Sequence, residues 1–457
     1  MDMFLKIAEY FKFKEAGSDY RTEVIAGVTT FMTMAYIIFV NPSILASPAG
    51  SKMPFDGVLV ATCIASAVTT IIMGLYAHYP IALAPGMGLN AFFSFMICGS
   101  MGVPWPVALG MVFISGLFFI FITLTGLREM VIDAVPQTIK YATACGIGAF
   151  IAFIGLRGAG IVVSNPETLV AFGNLESPGT LLAIGGLIFT AVLLSRGVNG
   201  AILLGLLSTG VVGVLMGLVK FKAAADSQAW LFFDLDILSA LNFIENPQYI
   251  VPIVVLLFFN LFDTVGTLIG VSEQAGFMVD GKLPRAKQAL MTDAVGTCLG
   301  AVAGTSTICS YIESASGVSE GGRTGFANMV TAFLFLAVLG LLMIARAVGL
   351  GTLAQGGSEL GPITAPALIV VGTLMMTNVA KIEWGDFSEA LPGFLVILLM
   401  PLTYSISAGL AAGFVSYPLI KLLRGEGRKV HPLMYVLAGL IVGGYISVQL
   451  YHHLSGA

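Results

Sequence analysis

The feature that most constrains this chain is its succession of apolar runs long enough to cross a bilayer. Val211 to Val219 and Ile253 to Phe259 carry no polar side chain, and comparable runs recur along the sequence. A helix needs about 20 residues to cross the hydrocarbon layer. Inside that layer each backbone N–H and C=O must find a partner within the protein, which for a single run means a helix. With 57% hydrophobic residues, 10% charged residues and a mean hydropathy of +0.95, the surface exceeds what one water-soluble core could absorb. The expected class is an all-α polytopic membrane protein, multi-pass in a bacterial inner membrane.

Spans are expected near 23–43, 57–77, 80–98, 104–125, 139–157, 180–195 and 198–219. A second series is expected near 249–271, 288–304, 305–319, 324–346, 361–380, 389–404 and 405–424. The polar stretch KFKAAADSQAWLFFDLDILSALNFIENPQ separates two halves of seven spans. Seven is odd, so the second half starts on the opposite side of the membrane, which is the logic of an inverted-topology repeat. The organisation expected is a first repeat over 1–220, an extracytoplasmic linker over 221–248 and a second repeat over 249–457.

Loop charges orient the chain. With the N-terminus inside, cytoplasmic segments hold Arg128, Lys140, Arg196, Lys282, Arg285, Lys287, Arg323 and Lys381, and the tail adds Arg424, Arg428 and Lys429. The outer loops hold Lys52, Arg157, Arg346, Lys220 and Lys222, an imbalance that obeys the positive-inside rule. Phe4, Ile7, Ala8 and Phe11 share one helical face before the first span and suggest a helix on the cytoplasmic membrane surface. The segment 432–450 is apolar enough for a further span or for a C-terminal helix packed at the cytoplasmic face.

Several classes are disfavoured. The net charge is −4 without a basic block, so nucleic acid is not an expected partner. Five cysteines without CxxC spacing suggest neither a disulfide framework nor a metal site, and no cofactor is expected. His78, His431, His452 and His453 lie in loops or the tail, so proton handling falls to carboxylates.

Two spans are interrupted. The third, PIALAPGMGLNAFFSF, carries Pro85, Gly86 and Gly88 in its middle; the tenth carries Gly304, TSTICSYIES and Gly317. The alternation in TSTICS suits a short extended segment. Matched Gly/Pro breaks in two halves point to a transporter site, where free backbone groups line a cavity and half-helix N-termini face inward. A carboxylate in a span costs about 2.5–3.5 kcal/mol, so its presence asks for a function. Asp263, in VVLLFFNLFDTVGTLIG, and Glu313, at the junction in the tenth span, are the candidates. Asp293 lies near the loop with Lys287, and a structural role is favoured there. Asn90 follows the break in the third span.

Four stretches carry a family resemblance: TTFMTMAYIIFVNP at 29–42, ALAPGMGLNAFF at 82–93, LFDTVGTLIG at 261–270 and GTSTICSYIESASGVSEGGRTG at 304–325. The chain resembles the Azg-like, or azaguanine-resistance, branch of the nucleobase–cation symporters. The resemblance implies fourteen spans in two inverted repeats. A core domain would use spans near 23–125 and 249–346; a gate domain would use spans near 139–219 and 361–424. It also implies proton-coupled uptake of adenine, guanine or hypoxanthine, with the substrate held by Asn90, Asp263 and Glu313. Gly88 and Thr307, one in each break, complete the expected site, and Phe92, Phe259 or Phe262 could stack on the purine ring. Asp263, with its apolar flanks, is the expected proton carrier, and Glu313 the ionised partner of the purine edge; the two acids could share a proton. The partners implied are a purine nucleobase, a proton and the lipid bilayer, with a homodimer through the gate domains. Two rival readings remain at this point: an anion exchanger or other solute carrier on the same architecture, and an intramembrane enzyme using Ser306, Ser310 or Ser314.

Overall fold

Fourteen helical elements carry the architecture of the computed structural model, which describes residues 2–126, 135–218, 230–242, 249–279, 283–347, 361–439 and 442. In chain order they are α1 (Tyr20–Leu45), α2 (Phe55–Ala77), α3 (Met87–Ser100), α4 (Trp105–Thr125), α5 (Gln137–Gly158), α6 (Pro178–Ser195) and α7 (Ala201–Leu215). The second series is α8 (Ile250–Ala275), α9 (Ala286–Ala303), α10 (Ser314–Ser319), α11 (Phe326–Ala347), α12 (Gly361–Lys381), α13 (Phe387–Leu402) and α14 (Ile406–Leu423). Seven of these, α1, α2, α4, α5, α6, α8 and α12, are long and apolar enough to cross a membrane. The described residues also hold a few shorter helices and four short strands: β1 (Leu83–Pro85), β2 (Val162–Asn165), β3 (Leu169–Phe172) and β4 (Ile308–Ser310).

Local chemistry sets the helix starts. Asp19 accepts the Thr22 N–H at 2.8 Å at the head of α1, and Ser177 and Ser405 cap α6 and α14 in the same way. Asp386 caps α13, and the Ser388 backbone N–H, then its hydroxyl and Arg424, hold the Asp386 carboxyl below the usual carboxylate range. Pro136 precedes α5, and Pro106 sits in the first turn of α4, where a missing N–H costs nothing. At the end of α9 the chain turns through Gly304 at φ 90°, and a side chain there would run into Leu231.

The helices pack mainly in two sets. In one, α1, α2, α4, α8, α9, α10 and α11 contact one another; in the other, α5 packs on α12 and α13, α13 on α14, and α6 and α7 on α12. Glycines allow the tightest approaches in the second set: Gly148 meets Gly372 where α5 crosses α12. The outward surface is apolar, with Phe118, Phe121, Leu124, Leu181, Ile188, Val211, Leu215, Phe333 and Leu341 exposed, as a lipid-facing surface requires.

Leu231 to Asn242, in the stretch expected as a linker, pack back on the body: Phe233 N–H donates to Val302 O at 2.8 Å and Asp236 N–H to Pro106 O at 2.9 Å. The N-terminal helix Asp2–Tyr10 is also tied to the body. Tyr10 donates to Leu75 O at 3.1 Å, and Phe11 packs edge-on to Phe326. Arg128, Lys220, Lys222, Lys282, His452, His453, the side chain of Arg346 and most of 432–450 lie outside the described residues.

Asn328 in α11 is a buried junction. Its amide donates to Thr70 O at 3.3 Å, Tyr79 O at 3.0 Å and Ile81 O at 2.8 Å, fixing the chain just before β1. Asn328→Ala leaves these buried carbonyls without that donor, at a cost of about 1–3 kcal/mol. The expected outcome is a lower apparent melting temperature of the purified protein; an unchanged melting curve counts against this junction.

Candidate functional site

The site is organised by β1 and β4, which pair antiparallel in the register Leu83–Ser310, Ala84–Cys309 and Pro85–Ile308. The pairing extends one bond at each end, from Gly86 N–H to Thr307 O at 2.9 Å and from Tyr311 N–H to Ala82 O at 3.0 Å. Two buried threonines close the outer edges. Thr70 of α2 accepts the Leu83 N–H at 3.0 Å and donates to Leu83 O at 3.1 Å. Thr297 of α9 donates to Ile308 O at 3.2 Å. So short a ribbon would otherwise leave backbone groups unpaired in a dry interior.

α3 starts immediately after β1, and α10 shortly after β4. Glu313 stands at the position before α10, half-buried. Its Oε1 accepts the Tyr36 hydroxyl at 2.7 Å, and its carbonyl accepts from Thr33 at 3.3 Å, so α1 holds it from below. Asp263 is also half-buried, faces the Cys309 thiol, and lies close enough to Glu313 for their charges to interact. The structure therefore brings together the two carboxylates that lie 50 residues apart in sequence.

The other expected residues divide. Gly88 abuts Ile147 of α5, where an added Cβ would sit 2.6 Å from the Ile147 Cγ2 and 3.2 Å from the Phe259 ring. Only glycine lets α3, α5 and α8 meet there. Thr307 is fully buried and its hydroxyl has no hydrogen-bond partner among the described residues. Asn90 is fully buried, and both ends of its amide are engaged, donating to Asn41 Oδ1 and accepting from the Ser306 hydroxyl. In this conformation it ties α1, α3 and the approach to β4 together instead of turning toward the acids. Phe92 and Phe259 are buried in packing, which leaves Phe262, half-buried beneath the Lys140 ammonium at 5.8 Å, as the ring beside Asp263.

Asp293 requires a correction. Its nearness in sequence to Lys287 suggests the cytoplasmic end, yet it is fully buried against β4, where Ser310 donates to its Oδ2 at 2.8 Å. A helix rises about 1.5 Å per residue, so the six positions from Lys287 carry it about 9 Å inward. Sequence reasoning also passed over Tyr36, Asn41, Thr70 and Thr297. The signal for Tyr36 was present: a phenol inside an apolar run must find a hydrogen-bond partner when buried.

Among the described residues no group of three or more His, Cys, Asp or Glu could hold a metal ion. The three serines of the enzyme reading are engaged: Ser306 donates to Asn90, Ser310 to Asp293, and Ser314 accepts the Ala82 N–H at 3.0 Å.

Membrane-crossing helices around a buried polar ribbon define a multi-pass membrane transporter, not an enzyme. The chain belongs to the Permease family, which it matches over residues 21–412. It is 45% identical to the guanine/hypoxanthine permease PbuG of Bacillus subtilis, over 94% of this chain and 97% of that protein. It is 41% identical to the adenine permease AdeP of Escherichia coli, over 94% of each. The resemblance to the Azg-like branch holds as well: identity to the nucleobase transporter PlAzg2 of Paenibacillus larvae is 34%, over 88% of this chain and 78% of that one. Among solved structures, the transmembrane domain of the cyanobacterial bicarbonate transporter BicA superposes with a TM-score of 0.62 at 17% identity, over 86% of this chain and 97% of that one. SLC26A9 superposes with a TM-score of 0.62 at 10% identity, over 92% of this chain and 67% of that one. At such identities the likeness speaks to the fold alone.

Asn90→Ala removes the links to both Asn41 and Ser306. The expected result is a fall of several degrees in apparent melting temperature, since each buried partner left unsatisfied costs about 1–3 kcal/mol. A variant as stable as the parent would mean that the Asn90 amide is not a structural tie.

Proposed function

We propose that this protein imports purine nucleobases by proton symport. The observation that carries the reading is the convergence of Asp263 and Glu313 on the paired breaks at β1 and β4. The names of the relatives, guanine/hypoxanthine and adenine permeases at 45% and 41% identity, support purines as the substrate class. In this reading the chain crosses the membrane fourteen times in two inverted repeats, with β1–α3 and β4–α10 as the broken third and tenth segments. The matched supports favour this: α2 and α9 hold equivalent places in the two halves, and each lends a threonine to one strand edge. Asn41 donates to Thr62 at 2.7 Å in the first half, and Asn260 donates to Thr297 at 2.7 Å in the second. The two packing sets correspond to a core domain and a gate domain, and a homodimer through the gate set belongs to the same reading.

The chemistry follows from the donor pattern of a purine, which presents ring and exocyclic N–H groups along one edge. Tyr36 occupies Glu313 Oε1 and fixes the carboxylate, while the second oxygen remains for the purine edge. The Thr307 hydroxyl, without a partner among the described residues, supplies a further donor and acceptor beside Gly88 in this reading. Phe262 offers a ring face beside Asp263. Asn90 contributes by holding the breaks in register. Asp263 is the proton carrier.

Anion exchange on the same architecture is the second reading. Half-helix N-termini suit anions. Asp263 and Glu313 at the same place oppose them, because two carboxylates repel a third negative charge.

Glu313→Gln keeps the size and removes the charge. Radiolabelled adenine, guanine or hypoxanthine uptake should fall to background in cells lacking their own purine carriers, with membrane insertion retained. Uptake at the wild-type level with unchanged affinity rejects Glu313 as the purine's partner.

Coupling has its own signature. Protons enter from outside as co-substrate, so uptake should fall as external pH rises, and a protonophore should collapse accumulation. A potential of 100 mV supplies about 2.3 kcal/mol per proton, enough for roughly fifty-fold accumulation of a neutral purine. Asp263→Asn should retain exchange of labelled for unlabelled purine and lose accumulation. Proton-driven accumulation that persists in Asp263→Asn removes this residue from coupling.

A further inference from the structure

We propose that Glu23, at the head of α1, is a positioning residue for purine binding that acts on Glu313 through α10. The proposal rests on the reading above in which Glu313 holds the purine edge.

The segment SEGGRTG at 319–325 takes no part in the ribbon, yet it is where the end of α10 is tied down. Glu23 is fully buried in the first turn of α1. Its Oε1 accepts the Arg323 N–H at 2.9 Å and the Thr324 N–H at 3.1 Å, 300 and 301 residues further along. The Arg323 guanidinium turns back instead, donating to Val318 O at 2.7 Å and Gly322 O at 2.8 Å to close the end of α10. Among the described residues no ion pair reaches Glu23, and its Oε2 has no hydrogen-bond partner. A buried carboxylate without a counter-charge is costly. The head of α1 offsets part of that cost, because a helix N-terminus favours negative charge. What the carboxylate does there is grip backbone, with the strength of a charged acceptor.

α1 grips α10 along its whole length. Glu23, Ala26, Thr30 and Thr33 recur at three- and four-residue spacing and so share one face of α1. At the far end of that face Thr33 donates to Glu313 O at 3.3 Å, and beyond it Tyr36 donates to Glu313 Oε1 at 2.7 Å. In the middle, a side chain at Gly317 would collide with the Thr30 hydroxyl and Ala26 O, so α10 lies flush on α1. Just after α10, a Cβ at Gly322 would sit 2.7 Å from the Ala26 Cβ. With 6 residues α10 rises only about 9 Å, and so short a helix does not keep its own direction. That direction is set by α1, through Glu313 at one end and Glu23 at the other. Releasing the Glu23 end lets α10 pivot on the Tyr36 contact and turns the second oxygen of Glu313 away from the purine edge. A misplacement of about 1 Å can cost roughly a hundredfold where several contacts must be met at once.

Two substitutions separate grip from charge. Glu23→Gln keeps the reach and an acceptor oxygen and loses the charge. Glu23→Asp keeps the charge and draws the oxygens back by one methylene, about 1.5 Å. Proteoliposomes are read by counterflow of radiolabelled adenine and of hypoxanthine at equal pH, which needs no net proton movement, and KM and turnover per inserted molecule are obtained separately. Glu23→Asp is expected to raise KM about tenfold with turnover retained, and Glu23→Gln to keep KM close to wild type. KM does not depend on how much protein inserts. Should Glu23→Asp yield no protein, Gly322→Ala, which pushes the same turn off Ala26 and leaves the carboxylate intact, takes its place with the same expectation. A wild-type KM in Glu23→Asp overturns the proposal. So does a rise in KM in Glu23→Gln that matches or exceeds that in Glu23→Asp, which marks a role for the charge. A fall in turnover at unchanged KM overturns it too, as the mark of a purely structural residue. Wild-type protein that exchanges neither purine, or Glu313→Gln exchanging them at the wild-type KM, defeats the purine reading of Glu313 and this proposal with it.

Discussion

The arrangement depends on three residue pairs. Leu83–Ser310, Ala84–Cys309 and Pro85–Ile308 are all that β1 and β4 share as a sheet, yet they determine where α3 and α10 begin and which way the side chains beside them point. A two-stranded ribbon of this length is unstable in water and worse in hydrocarbon, because its outer edges offer unpaired N–H and C=O groups. Thr70 and Thr297 take the place of missing neighbours at those edges, and the Tyr311 hydroxyl covers Pro85 O at 2.5 Å. Around this small sheet the small residues of 304–325 let helices approach closely.

That arrangement explains a mixture of charge and apolarity that would be costly elsewhere. Glu313 is tolerable because Tyr36 reaches it across 277 residues of sequence and because the start of α10 favours negative charge. Asp293 is held by the Ser310 hydroxyl, which donates to its Oδ2 at 2.8 Å. The fold itself does not choose a solute: chains at 17% and 10% identity with the same backbone path belong to a bicarbonate transporter and to SLC26A9. The side chains at the ribbon are here carboxylates, a phenol and hydroxyls.

Much of this was legible in the sequence. The helical, multi-pass character follows from apolar run length alone, and Asp263 and Glu313 stand out because a carboxylate in such a run is expensive. Gly304 and the glycines at 86 and 88 mark the places where regular helix gives way. What was not legible depended on pairing across the chain. Asn90 stands out because it follows the glycines, but its partners, Asn41 and Ser306, are 49 and 216 residues away, and no periodicity encodes them. The burial of Asp293 against β4 likewise depends on a pairing that its nearness to Lys287 in sequence does not encode. Tyr36 is one ring among many in an apolar stretch until its hydroxyl is seen to end on Glu313.

The register of the ribbon also has a consequence for how the protein is made. Leu83 emerges from the ribosome 227 residues before Ser310, its strand partner. Until then the polar edge of β1 must be carried through membrane insertion with only Thr70 to cover one side. Contacts this distant in sequence form late, because the intervening chain must first be ordered. The ribbon therefore does not exist in a chain made only as far as its first half. A nascent first half presents an open strand end in the bilayer, the kind of surface that insertion chaperones shield and membrane proteases attack. Completion of the ribbon has to wait until β4, in the second half of the chain, has been made.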